Sequence, residues 1–240
     1  MENAASMSGW TPPKNTRFHR RMMFVRHLAM TALLVRRGYA LCTLGETRVG
    51  CSWTFCPRGL DERSVVYSGG VGNDISFEHE LVKKFGCQVT LFDPSPTGLA
   101  TMNRPENKIS AFKYLPVGLA GHCGTLRLTP PLNAEEGSWF AGAGGAEGIA
   151  VRCLDLATML KENGHQQVDL LKIDIEGAEY GVISHILEGH VPVRQLLVEF
   201  HDGLLPGFSR GQTLRTIFKL MTHGYKLISE RSNTLTFVRD

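Results

Sequence analysis

The stretch Ser64–Pro94, SVVYSGGVGNDISFEHELVKKFGCQVTLFDP, constrains this chain more than any other. Ser64–Tyr67 is a short β-branched and aromatic run suited to a buried strand. Gly69, Gly70 and Gly72 follow at once, allowing a tight turn and close approach of the backbone to a ligand. Asn73 or Asp74 is placed to cap a helix that carries Glu78 and Glu80 early and Lys83 and Lys84 late, as the helix dipole favours. Gly86 suits the left-handed stop, Gln88–Phe92 reads as a second strand, and Asp93 stands at its end before the helix-excluding Pro94. Ligands of open α/β sheets lie beyond the carboxyl ends of the strands, where an acid about 20 residues past the glycines can accept hydrogen bonds from ribose hydroxyls. Asp93 meets that description, so the stretch points to a nucleoside-containing ligand; a purely structural turn is the alternative.

Downstream, strands and helices keep alternating. Ser95–Asn107 is expected to be partly helical and Ile109–Leu115 a third strand, with Gly118 and Leu119 just past it, where an adenine edge would lie. Gly121–Gly124 reads as a hairpin turn with Thr125–Leu128 returning. Asn133–Gly148 is rich in Gly and Ala yet holds Trp139 and Phe140, and it is long for a plain connection, which suggests a lid. Leu154–Asn163 is a short helix, and Val168–Ile173 is a buried strand with one awkward lysine, Lys172.

Asp174-Ile175-Glu176-Gly177-Ala178-Glu179 follows and leads into a helix over Tyr180–Leu187. Three carboxylates in six residues at a strand end are not what packing alone selects, because acids are seldom buried unpaired. Lys172 and Asp174 share a side of the strand and are expected to pair; capping by Asp174 with a solvated Glu179 is the structural alternative. Gln195–Phe200 is the next strand, with Glu199 inside it and His201-Asp202 at its end. Gln212–His223 is an amphipathic helix on Leu214, Ile217, Phe218 and Met221; Tyr225–Ser229 and Thr234–Val238 close the chain as an antiparallel hairpin. Ahead of the first main strand, Trp53 and Phe55 mark a half-buried strand that is either a wall of the ligand site or an edge strand with core aromatics.

Charge separates the N-terminal segment from the rest. Residues 1–37 hold seven Lys/Arg against Glu2 alone, so the overall +3 conceals a body of charge −3. A mildly acidic body argues against a nucleic-acid surface. Residues 1–16 read as a disordered extension, 17–44 as an N-terminal helical segment and 45–240 as a single domain. The apolar run Leu28–Val35 is far short of the roughly 20 residues a spanning helix needs. Arg17–Arg37 is therefore expected to pack on the domain as an amphipathic helix, membrane-surface contact being the alternative. The six cysteines form no CxxC pair and suggest reduced thiols in a cytoplasmic protein. No His/Cys cluster suggests a metal centre, although paired carboxylates are of the kind that holds Mg²⁺.

The order strand–glycine turn–acid, then LLKIDIEGAE (Leu170–Glu179), LLVEFH and a closing hairpin, resembles the FkbM-type branch of class I S-adenosylmethionine-dependent methyltransferases. TLFDPSP (Thr90–Pro96) and PVGLAG (Pro116–Gly121) support it, and YSGGVGNDISFE is similar to a methyltransferase-like subgroup found in animals. The resemblance implies an α/β fold with a Rossmann-like seven-stranded class I methyltransferase sheet, six strands parallel and one antiparallel, helices on both faces. It implies S-adenosyl-L-methionine as cofactor, bound through Gly69, Gly70, Gly72, Asn73, Asp93, Pro94, Gly118, Leu119 and Asp174. Gly70 and Gly72 would approach its methionine part, Asp93 its ribose and Pro116–Leu119 its adenine. The family usually has an acid two residues before the glycine turn, where this chain has Tyr67-Ser68.

Methyl transfer from an activated sulfonium is governed mainly by proximity and orientation, and a hydroxyl acceptor also needs its proton removed. Glu176, Asp174 and His201 are the catalytic candidates, in that order. The expected function is O-methylation of a small-molecule, sugar or lipid-linked acceptor. The alternatives are a catalytically silent cofactor-binding module and a nicotinamide-dependent oxidoreductase; against the latter, Ile75 stands where the third glycine of G-x-G-x-x-G would be.

Overall fold

A computed structural model of the chain describes residues 33–47, 51–131, 137–142, 148–202, 207–231 and 233–240. Clustering divides the chain into Met1–Leu34 and Val35–Asp240, and the second unit holds the sheets. The expected extension over 1–16, and the part of the expected helix over 17–32, lie outside the described residues. The remainder of that segment is not helical. The Arg36 amide donates to the Leu227 carbonyl, and Cys42–Leu44 is a strand, β1, pairing antiparallel with β2, Trp53–Phe55. A β-branched Thr in each strand and the aromatic Trp53 and Phe55 in β2 suit a hairpin better than a helix.

The main sheet has seven strands: β3 (Val65–Gly69), β4 (Gln88–Phe92), β5 (Phe112–Leu115), β10 (Leu170–Ile173), β11 (Gln195–Glu199), β12 (Lys226–Arg231) and β13 (Thr234–Val238). Their spatial order is β12-β13-β11-β10-β3-β4-β5. β5, β4, β3, β10 and β11 are parallel neighbours, and β13 runs antiparallel to both β11 and β12. Six strands therefore point one way and one the other, as the resemblance implies. The order reverses between β3 and β10. That junction is the switch point where an open sheet leaves a crevice at its strand ends.

Five α-helices are described: α1 (Ser76–Phe85), α2 (Pro96–Met102), α3 (Leu156–Asn163), α4 (Glu179–Glu188) and α5 (Arg210–Thr222). Alternation along the strands separates two buried faces. Val66, Val89, Leu91, Leu170 and Leu197 join Trp53, Phe55 and the α1 residues Phe77 and Leu81 in one core cluster. Tyr67 takes the other side, its hydroxyl 2.8 Å from Nδ1 of His165 beyond α3. α1 ends as expected, on Gly86 at φ 71°. Its start differs: Ile75 is the N-cap without a side-chain bond, while Asp74 Oδ1 accepts from the Ser76 amide. α5 buries Thr213, Thr216, Ile217 and Leu220 and leaves Phe218 half exposed, a rotation from the apolar face read in the sequence.

A second sheet, of four strands, was not legible in the sequence. β6 (Gly118–Leu119), β7 (Gly124–Thr129), β8 (Phe140–Ala141) and β9 (Ile149–Leu154) lie in the order β6-β9-β7-β8. β6 pairs parallel with β9 and β7 antiparallel with β9, so β9 occupies the place between the two arms of the expected Gly121–Gly124 hairpin. Of the expected Asn133–Gly148 lid, 133–136 and 143–147 lie outside the described residues. Phe140–Ala141 within it is a strand bonded to Leu128–Thr129. Among the described residues no helix is long and apolar enough to cross a membrane.

Candidate functional site

At the switch point the glycine turn and the β10 end are built against each other. The Gly70 amide donates to Phe92 O, and the Asp174 amide to Gly69 O. Gly70 has φ 86°, and a Cβ there would collide with the Asp174 carbonyl oxygen. Only glycine meets both conditions.

Asp93 closes the turn from the β4 side. Its Oδ2 accepts from the amides of Val71 (2.9 Å) and Gly72 (3.1 Å), and its Oδ1 from the amide of Ser95 (2.8 Å). The carboxylate is buried. Three of its roughly four lone-pair sites serve the protein's own backbone, so a ribose hydroxyl would share the last. Pro94 packs toward Gly118, and Leu119 toward Gly69. The Asn73 amide group lies against Gly137. The expected cofactor residues Gly69, Gly70, Gly72, Asn73, Asp93, Pro94, Gly118, Leu119 and Asp174 thus lie about the turn between β3 and α1.

The catalytic candidates converge as well. His201, past the end of β11, places Nε2 3.2 Å from Glu176 Oε2 and 3.6 Å from Asp174 Oδ1. Its Nδ1 is 2.8 Å from Glu179 Oε1. Glu179, which the structural alternative left solvated, is fully buried and also accepts from the amides of Ile175 and Gly177. It orients His201, and no side chain caps α4. Glu176 has φ 50°, an unusual value for a residue with a Cβ and one that clusters at functional sites. Ser138 hydrogen-bonds its carboxylate, and the Ala141 amide donates to its carbonyl (2.8 Å), so the 137–142 segment forms a wall of the site.

Burial pushes the Glu176 and Asp174 carboxyls above the usual range, partly countered for Glu176 by His201 and for Asp174 by Lys172 and His201. Glu199 is pushed up to about 8 by burial and by Asp174. Burial opposes the charge on His201, but Glu179, Glu176 and Asp174 outweigh it and push its pKa up to about 10. His201 is then an imidazolium at neutral pH. Asp174, Glu176 and His201 also each offer a ligand atom within 4.8 Å of the others, a set that sequence spacing did not assemble. His201 Nε2 faces Glu176 and Asp174, and its Nδ1 faces Glu179.

Lys172 does not pair with Asp174. Its Nζ lies 3.4 Å from Glu78 Oε1, donates to Gly70 O (2.8 Å) and sits 5.2 Å from the Trp53 ring centroid. Ser68 Oγ donates to Glu78 Oε1 (2.5 Å). Glu78, read in the sequence as a helix-dipole acid, is 1 % exposed. A buried acid in the first turn of a helix carries no separate signal in one sequence. Trp53 packs in the core and against the Lys172 head, which fits the core-aromatic reading of its strand.

A mostly parallel seven-stranded sheet of this order, with a glycine turn and acidic side chains at its switch point, defines a doubly wound α/β protein of the methyltransferase type. The Methyltransferase FkbM domain matches residues 65–227, and the chain belongs to that family. Methyltransferase sdnD of Sordaria araneosa is 29% identical over 147 residues, covering 47% of this chain and 57% of that protein, so the match spans little more than half the relative's length. Among solved structures, the Methanococcus jannaschii fibrillarin pre-rRNA processing protein aligns with TM-score 0.40 and 11% identity over 85% of this chain and 84% of that one. M. jannaschii TYW2 in complex with AdoMet aligns with TM-score 0.34 and 11% identity over 86% and 90%.

Proposed function

We propose that the chain is an S-adenosyl-L-methionine-dependent O-methyltransferase acting on a hydroxyl of a small-molecule, glycan or lipid-linked acceptor, with Glu176 as the general base. One observation carries the cofactor reading. The amides of Val71 and Gly72, which a pyrophosphate would need, already donate to Asp93, and the neighbouring β10 end carries the carboxylates Asp174 and Glu176. Such a site disfavours an anionic dinucleotide and suits a cationic sulfonium and ammonium.

Bound S-adenosyl-L-methionine would supply a methyl group on a positively charged sulfur, already activated toward an acceptor oxygen. The chain's residues do the remainder. The Gly70 cradle lets backbone approach the ligand. Glu176 takes the acceptor's proton; its raised pKa makes it a stronger base than an ordinary carboxylate. His201 holds Glu176 and Asp174, and Glu179 holds His201.

Thermal stabilisation by S-adenosylmethionine, S-adenosylhomocysteine and NADH, compared side by side, tests the cofactor. At 100 times its Kd the true ligand adds about 2.7 kcal/mol to the native state. Stabilisation by NADH alone would reverse the reading. Transfer of labelled methyl from S-adenosylmethionine into cell-extract fractions tests the reaction, and binding without transfer would favour the silent module.

A further inference from the structure

Beneath the glycine turn lies a buried polar group that the proposed chemistry does not use. Ser68 on β3 and Lys172 on β10 are register partners, so their side chains share the sheet face covered by α1 and Trp53. Glu78 descends from α1 onto them, and Ser68, Glu78, Lys172 and Trp53 are all at most 4 % exposed. A buried ion pair is a poor way to stabilise a core, since well-packed apolar residues of similar volume often do as well or better. Its geometry suggests another use. Lys172 Nζ donates to the carbonyl of Gly70, the residue whose backbone forms the floor of the crevice. Glu78 neutralises that ammonium and is itself held by Ser68. The Trp53 ring closes a further side of the Lys172 head.

We propose that Glu78 and Lys172 are positioning residues: a buried ion pair between α1 and β10 that sets the Gly70 carbonyl and thereby the end of the crevice that takes the amino-acid part of the cofactor. The inference rests on the cofactor reading proposed above. Neither side chain is open to the crevice, so both act through the Gly70 backbone.

The test separates this role from a merely structural one by using two ligands that share an adenosine and differ in the amino-acid part. S-adenosylhomocysteine carries that part and 5′-methylthioadenosine does not. Affinities of both are measured by calorimetric titration for wild type, for E78Q/K172M, which removes both charges together, and for K172M, which removes the ammonium alone. In either variant the S-adenosylhomocysteine affinity is expected to fall at least about 10-fold, the scale of a hydrogen bond to a charged group, with 5′-methylthioadenosine affinity unchanged. Wild-type affinity for S-adenosylhomocysteine in E78Q/K172M overturns the proposal, as does an equal loss for both ligands. A wild-type protein that binds neither ligand removes the cofactor reading itself, and this inference with it.

Discussion

Glu176 carries the largest chemical claim on a single side chain. Glu176→Gln keeps the shape and removes the base, so turnover should fall by roughly 10²–10⁴-fold while S-adenosylhomocysteine binding persists. Equal labelling by the two proteins would end the claim. Because burial raises the Glu176 pKa, the wild-type rate should decline on acidification at a pH above the ordinary glutamate range, where the base becomes protonated. Asp93 is the second residue with a measurable double duty. Asp93→Ala strips the partner from two turn amides, so it should lower stability by about 1–3 kcal/mol for each donor left dry, and cofactor affinity should fall with it. Denaturant melts showing wild-type stability would mean the turn does not depend on its carboxylate.

At the scale of elements, the turn between β3 and α1 is held from three sides. β4 supplies Phe92 O and Asp93, β10 supplies the Asp174 carbonyl, and α2 supplies Thr101, whose Oγ1 donates to Gly72 O at 2.7 Å. Gly70→Ala forces a Cβ into the Asp174 carbonyl and an alanine into positive φ. The turn and the β10 end must then separate, and ligand-dependent thermal stabilisation should disappear even if the far-UV spectrum is preserved. Retained stabilisation in a folded Gly70→Ala protein would show that the β3–β10 contact is not part of the binding floor.

Across the whole molecule, the crevice concentrates charge that folding must accommodate. His201 has a folded pKa of about 10 against an ordinary 6.5, and Glu199 about 8 against 4.5. Both are raised, so the native state binds more protons than the unfolded chain between the two values. The His201 contribution is complete below pH 6.5 and is lost as pH rises toward 10; that of the protonated Glu199 is complete below pH 4.5 and is lost as pH rises toward 8. Stability should therefore decline from pH 4.5 to 10, above pH 8 through His201 alone, by up to about 1.4 kcal/mol per pH unit for each proton released. His201→Gln, whose amide can still donate to Glu179, should flatten that decline; melting curves with the same alkaline slope in both proteins would remove His201 as its source.

Features written in local pattern were legible from the chain alone. The strand–glycine turn–helix–strand unit, Gly86 as a helix stop, the closing hairpin, and the placing of Asp174, Glu176 and His201 at strand ends each follow from hydrophobic period or turn chemistry, while the parallel sheet followed from the family resemblance. What depends on partners distant in sequence was not. Glu78 and Lys172 are 94 residues apart and meet only because β3 and β10 are neighbours in register beneath α1. Glu179 looks like any first-turn acid until α4 docks and seals it against His201. The four-stranded sheet interposes β9 between segments that local turn signals would have paired. A sequence states which residues are apolar and where the backbone can bend. Which acid is buried, and which base it meets, is decided when elements pack, because only then does desolvation make the choice of partner costly enough to be unique.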